Sequence, residues 1–156
     1  LRRLPAEPGW PYSAEAGKAP ARSMRSWQPF PAPAPALRRA HDAGLRLVIV
    51  SNTDRDIIEH SLKHIEAPID DVVTAEDVAD GKPHPAGFLL ACERLGVDAA
   101  DAVAAEDSPA GVRAAVAAGV RRVHGVASTL PASVLTAAGA TAVGDDLRPL
   151  LGLLRD

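Results

Sequence analysis

The sequence predicts an α/β domain, a Rossmann-like parallel sheet with flanking helices, and three observations carry that prediction. Short apolar runs alternate with helix-length segments from about residue 36 onward, the pattern of βαβ units. The clearest run, Leu45–Val50, is apolar apart from Arg46, contains Val48-Ile49-Val50, and turns polar at once at Ser51-Asn52-Thr53-Asp54. A short β-branched run of this kind suits a central strand buried on both faces and is poor helix material. Polar clusters then recur where such runs end, the edge at which open α/β sheets bind ligands.

Length and composition bound the rest. The 156 residues are one domain's worth of chain, enough to bury a core. A net charge of -3 with no long basic run gives no sign of a nucleic-acid or membrane partner. No apolar run is long enough to span a bilayer, and Leu1-Arg2-Arg3-Leu4-Pro5 leads into no apolar signal core. The single cysteine excludes an internal disulfide and a multi-cysteine zinc site. Together these make the cytoplasm the expected location.

The first 35 residues differ in character from the rest of the chain. They hold prolines 5, 8, 11, 20, 29, 31, 33 and 35, and four of the five aromatic residues (Trp10, Tyr12, Trp27 and Phe30). The chain begins with Leu and its only methionine is Met24, which leads to the expectation of a fragment or a processed chain. Residues 13–27 have room for a short helix that Pro20 would interrupt or start, and residues 29–35 read as an extended, semi-rigid connector. The aromatic residues are expected to pack rather than to stack on a ligand.

The elements then follow in order. Residues 36–43 read as a helix closed by Gly44, and residues 46–50 as the strand described above. Asp54 to Ile65 reads as a helix, with Ile57, Ile58, Ser61, Leu62 and Ile65 at helical spacing. A short strand at 71–74 precedes a helix opened by Pro83 or Pro85 and stopped by Gly96. Strand 102–105, helix 109–118 ended by Gly119, strand 121–126, helix 131–138, strand 140–143 and a closing helix at 147–154 complete the alternation.

Three polar clusters fall at these strand ends. Ser51-Asn52 offers a hydroxyl and an amide beside exposed backbone N–H groups, a combination that can hold a phosphoryl oxygen; taken alone, capping of the next helix by Asn52, Thr53 or Asp54 explains it more simply. Gly81-Lys82-Pro83 places one of only three lysines before a helix, where it can deliver a compact positive charge to an anion or simply sit in an exposed loop. In Ala105-Glu106-Asp107-Ser108-Pro109, Ser108 and Pro109 make an ordinary helix start. The adjacent carboxylates at a strand end are not explained that way and form a hard oxygen corner suited to Mg²⁺.

Weaker candidates have simpler readings. His60 and His64 lie one helical turn apart but lack an evident third ligand, and Cys92 fits a core position. His84 lies near enough to Lys82 to touch a substrate. Asp145-Asp146 would cap the last helix.

Taken in order, VIVSNTD, GKPHPAGF and AAEDSPAGVRAAVAAG resemble the second, third and fourth motifs of the haloacid dehalogenase (HAD) superfamily, in its phosphatase and β-phosphoglucomutase-like branch. The resemblance covers roughly residues 29–154. It implies that Ser51, aided by Asn52, hydrogen-bonds a transferring phosphoryl group, that Lys82 neutralises its oxygens, and that Glu106 and Asp107 help hold Mg²⁺. It also implies a small phosphorylated substrate, with residues 1–28 as a remnant of a helical cap or linker and residues 29–156 as the HAD-like core.

One part of the family pattern does not match. The first motif, a central strand ending in Asp-x-Asp that supplies the nucleophile and the general acid/base, is missing, and no Asp precedes Asp42. The expectation is a core with its first strand missing and with little or no turnover alone. The strands at 46–50 and 102–105 must then pair directly, leave a seam, or be joined by a strand from another chain or segment. A non-catalytic binding module and one half of a split enzyme are the alternatives.

Overall fold

The structure, a computed structural model, describes residues 33–65 and 67–155. The segment expected as a cap remnant or linker, 1–28, with its short helix and its aromatic residues, lies outside the described residues.

The first described element is helix α1 (Pro33–Asp42), which corrects the expected connector at its end. Pro33 and Pro35 belong to the helix's first turn, where a missing N–H removes no intrahelical bond and a fixed φ suits the helix. Gly44, at φ +89°, ends the helix in the left-handed conformation that side chains disfavour. Strand β1 (Val48–Val50) follows, then α2 (Arg55–Leu62) and β2 (Asp71–Val73). Helix α3 (Ala86–Leu95) ends at Gly96, φ +61°, as the sequence predicts.

A 3₁₀ turn (Ala99–Asp101) leads into β3 (Val103–Glu106). Helix α4 (Pro109–Ala117) starts from Ser108, whose side chain accepts the Gly111 N–H, so the expected serine cap and first-turn proline are both present. Strand β4 (Arg122–Val126), helix α5 (Ala132–Ala138) and strand β5 (Ala142–Gly144) follow.

Two boundaries differ from expectation near the end. Strand β5 starts two residues later than the sequence predicts. Ala140 is held in the turn by a bond from its N–H to Leu135 O, and the Thr141 hydroxyl both accepts from Val123 N and donates to Val123 O. The closing element is a 3₁₀ helix (Arg148–Arg155) rather than an α-helix.

All strand pairings are parallel, but they form two sheets. Among the described residues β1 pairs only with β2, in the register Val48↔Asp71, Ile49↔Val72 and Val50↔Val73. β4 lies between β3 and β5, with Glu106↔Gly125 and His124↔Ala142 among the matched residues. Among the described residues β1 is therefore an edge strand and is half-buried along its length, not the doubly buried central strand the sequence predicts. The other edge of β1 and the free edge of β3 line a largely apolar cavity of about 600 Å³, shared with Phe88 and Leu95 of α3 and Leu37 of α1. Of the three ways the two strands could be accommodated, the described residues show the seam.

The core sits on the three-stranded side. Ala104, Val112, Ala115, Ala118, Val120, Val123 and Leu135 form one buried cluster joining β3 and β4 to α4 and α5. Burying a valine or leucine contributes roughly 1.5–3 kcal/mol, so this cluster anchors that half. Helix α3 bridges the halves, packing on β1, β2 and α4. The approach of α3 to β1 is close, since a Cβ at Gly87 would lie 2.8 Å from Val50 Cγ1. No helix among the described residues is long and apolar enough to cross a membrane.

Candidate active site

The three polar clusters converge at the carboxyl ends of β1, β2 and β3. The loop after β1 and the long loop after β2 are joined along their length. Ser51 N–H donates to Val73 O at 2.8 Å, and Ala75 N–H to Thr53 O at 3.3 Å. Asn52 then holds Lys82 by its main chain, accepting the Lys82 N–H at Oδ1 (2.8 Å) and donating from Nδ2 to Lys82 O (3.0 Å). This is the arrangement a backbone makes with itself across a strand pair, supplied here by a side-chain amide.

The start of the same loop is fixed by Asp77. Its carboxylate accepts the Thr74 N–H (2.7 Å) and the Thr74 hydroxyl (2.8 Å), and pairs with Arg55 of α2 (2.7 Å) and Arg94 of α3 (2.9 Å). The Thr74 hydrogen bonds first, then Arg94 and Arg55, hold the Asp77 carboxyl well below the usual carboxylate range. Sequence reading missed this cluster. Arg55 and Arg94 lie on separate helices, so no local spacing announces that they meet on one carboxylate.

From this anchored loop the Lys82 side chain reaches the end of β3. Its ammonium contacts Glu106 Oε1 and lies 5.3 Å from the centre of the Phe88 ring. Both members of the ion pair are largely buried, with side-chain exposures of 13% and 7%. Burial pushes the Glu106 carboxyl up, and the neighbouring Lys82 charge partly opposes that shift. Gly111 makes the corner possible, because a Cβ there would stand 1.9 Å from Glu106 Oε2.

The other candidates fall into place around the pair. The Ser51 hydroxyl accepts the Thr53 N–H at 3.1 Å, and its own hydrogen can still be donated. Asp54, not Asn52 or Thr53, occupies the start of α2, without a side-chain cap bond. Asp107 is exposed beside buried Glu106. His84 is exposed, its Nδ1 accepting the Ala86 N–H at 3.3 Å. Cys92 is buried, as expected of a core thiol. His60 and His64 meet edge to face, 5.5 Å apart. Asp146 serves the last helix, accepting the Arg148 N–H at 2.8 Å, and its carbonyl lies 2.9 Å from His124 Nε2.

The oxygen corner suits Mg²⁺ in kind but gathers few donors. No group of three or more His, Cys, Asp or Glu residues converges on one point among the described residues. Mg²⁺ is commonly held by one or two protein carboxylates with water and phosphate oxygens completing the octahedron. Glu106 and Asp107 are the two adjacent carboxylates at this corner, and Glu106 already pairs with Lys82.

Comparison with known proteins identifies the family. A family model described as haloacid dehalogenase-like hydrolase matches residues 19–119. Among curated relatives, the chain is 41% identical over 76 residues to the validoxylamine A 7'-phosphate phosphatase of Streptomyces hygroscopicus subsp. limoneus, covering 47% of this chain and 36% of that protein. It is 35% identical over 111 residues to the phosphorylated carbohydrates phosphatase of Thermotoga maritima, covering 69% of this chain and 51% of that protein. The chain thus spans about half or less of these relatives' length. The fold also superposes on a HAD family hydrolase from Deinococcus radiodurans R1, solved with bound phosphate and sodium, at a TM-score of 0.76 and 26% identity, over 88% of this chain and 65% of that one. With a family match across most of the chain and phosphatases among its relatives, this chain belongs to the haloacid dehalogenase-like hydrolases, in their phosphatase-like branch.

Proposed function

We propose that this chain supplies the phosphate- and metal-holding half of a phosphatase site acting on a small phosphate ester. The observation that carries the reading is Lys82, brought by an anchored loop onto Glu106 at the sheet's carboxyl edge. A phosphoryl group entering this corner would meet the Lys82 ammonium, the Ser51 hydroxyl and the nearby backbone N–H groups. Phosphoryl transfer depends chiefly on positioning and charge stabilisation, and these groups serve that purpose. Asp107 with Glu106 would hold Mg²⁺, which supplies Lewis-acid neutralisation of phosphoryl oxygens when bound.

Among the described residues no third carboxylate joins Glu106 and Asp107 in a metal-holding group, which leaves the attacking carboxylate unassigned. The free edges of β1 and β3 favour a second reading for that part, a strand contributed by another chain or segment that carries the nucleophilic carboxylate, as in a split enzyme.

The test is calorimetric titration of the full chain with inorganic phosphate in the presence of Mg²⁺, beside an assay with a small phosphate ester. Binding that weakens in both Ser51→Ala and Lys82→Met, with trace or no turnover, is the expected result. If phosphate fails to bind, or binds equally well to both variants, the site assignment is wrong. Robust turnover by the chain alone would overturn the need for an added strand.

A further inference from the structure

We propose that Asn52 is a positioning residue, not a phosphoryl ligand: its amide clamps the main chain of Lys82 and so sets where the ammonium is delivered. The family resemblance implies that Asn52 aids Ser51 at the phosphoryl group, but the structure uses both ends of the amide elsewhere. Oδ1 takes the Lys82 N–H and Nδ2 binds the Lys82 carbonyl. An amide offers two donors and one acceptor atom, so direct phosphate binding would be left to one N–H of a group already aimed at Lys82.

Two further features point the same way. Gly81 passes so close to this amide that a Cβ would stand 2.6 Å from Asn52 Oδ1 and 2.9 Å from its Cγ. The glycine before Lys82 therefore leaves room for the clamp. Asn52 and Lys82 are separated by 30 residues and belong to different loops. The clamp is thus a tertiary cross-tie between the loop that carries Ser51 and the loop that carries Lys82. Asp77 fixes the start of the second loop, and Asn52 fixes the point from which the Lys82 side chain departs.

The clamp can be broken from either side, by Asn52→Ala, which removes the amide, or by Gly81→Ala, which pushes it away. Gly81 lacks the positive φ that would make alanine strained in itself. The first measurement is amide hydrogen exchange at Lys82, with Val112 and Val123 as internal standards for the fold. Both variants should exchange the Lys82 amide about tenfold faster or more, the scale of one or two lost hydrogen bonds, while the standards stay unchanged. The Lys82 ammonium ¹H–¹⁵N signal, sharpened when the group is held in a buried pair, should broaden in both variants. An unchanged Lys82 amide and ammonium signal in both variants would overturn the proposal.

The phosphate arm rests on the function proposed above. If that function holds, Asn52→Ala and Gly81→Ala should each weaken inorganic phosphate binding, and the double variant should be no weaker than either single one. An Asn52 that binds phosphate directly gives a different result, since Gly81→Ala would free its amide and preserve binding while Asn52→Ala alone would weaken it. That pattern also overturns the proposal. Failure of the wild-type chain to bind phosphate would remove the function and leave the clamp to be decided by exchange and the ammonium signal.

Discussion

Lys82 and Glu106, 24 residues apart, meet as a largely buried ion pair where the loop after β2 crosses the end of β3. Such a pair is costly to leave half-made, because removing one partner strands the other charge away from water. Lys82→Met should therefore destabilise the chain by about 3–5 kcal/mol. Lys82→Met combined with Glu106→Gln should recover much of that loss, since no uncompensated charge remains. Urea denaturation of the two singles and the double completes the cycle. Additive losses would mean that the two side chains do not depend on each other.

Gly111→Ala tests the other wall of the same corner. The added methyl would stand far inside van der Waals contact with Glu106 Oε2, at 1.9 Å, so the carboxylate must move or the first turn of α4 must shift. A loss of about 1–3 kcal/mol is expected, the usual cost of overpacking a filled site. The substitution should also disturb Lys82 through its partner, visible as a shift of the Lys82 side-chain resonances. A variant with wild-type stability and an unmoved Lys82 would show that the corner has room to spare.

Asp77 sets an acid limit on stability. Its carboxyl is held below the usual range in the folded chain, chiefly by Thr74 and then by Arg94. A depressed folded value means that the unfolded chain binds the proton first, so the contribution is fully present above the unfolded value of about 3.9 and is lost as pH falls below it toward the folded value. Asp77→Asn should lower stability near neutral pH by about 2 kcal/mol, the scale of lost charge-assisted hydrogen bonds. It should also flatten the decline between roughly pH 4 and pH 2. Thermal melts of both proteins across that range check this, and parallel acid limbs would rule Asp77 out as their cause.

Local signals were readable wherever the cause lay within a few residues. Ser108 and Pro109 announced the start of α4, and Gly44 and Gly96 the ends of α1 and α3, because capping and left-handed stops act within one turn. The alternation of strands and helices yielded a parallel α/β fold for the same reason. What could not be read was the partner of a side chain. Asn52 looked like a phosphoryl ligand or a helix cap because both are local options, whereas its actual partner, Lys82, lies in another loop. Pro33 and Pro35 looked like connector residues because proline's preference for extended chain and for a helix's first turn cannot be separated without knowing where the helix begins.

The seam between the sheets leads to an expectation about individual amides in β1. Asp70 N–H donates to Leu47 O, and Ser51 N–H donates to Val73 O, so the odd-numbered residues of this strand face β2. By the alternation of a strand, the N–H groups of Val48 and Val50 point the opposite way, toward the cavity shared with β3. Ile49 should then exchange slowly while Val48 and Val50 exchange fast. The amides of β4, which is paired on both sides, should be the slowest of all. A chain or segment supplying the proposed strand would reverse the β1 pattern, since new ladder bonds would protect Val48 and Val50 without touching Ile49. Protection of Val48 and Val50 equal to that of Ile49 in the chain alone would mean that the β1 edge is already paired, and would overturn the proposal of a strand added there.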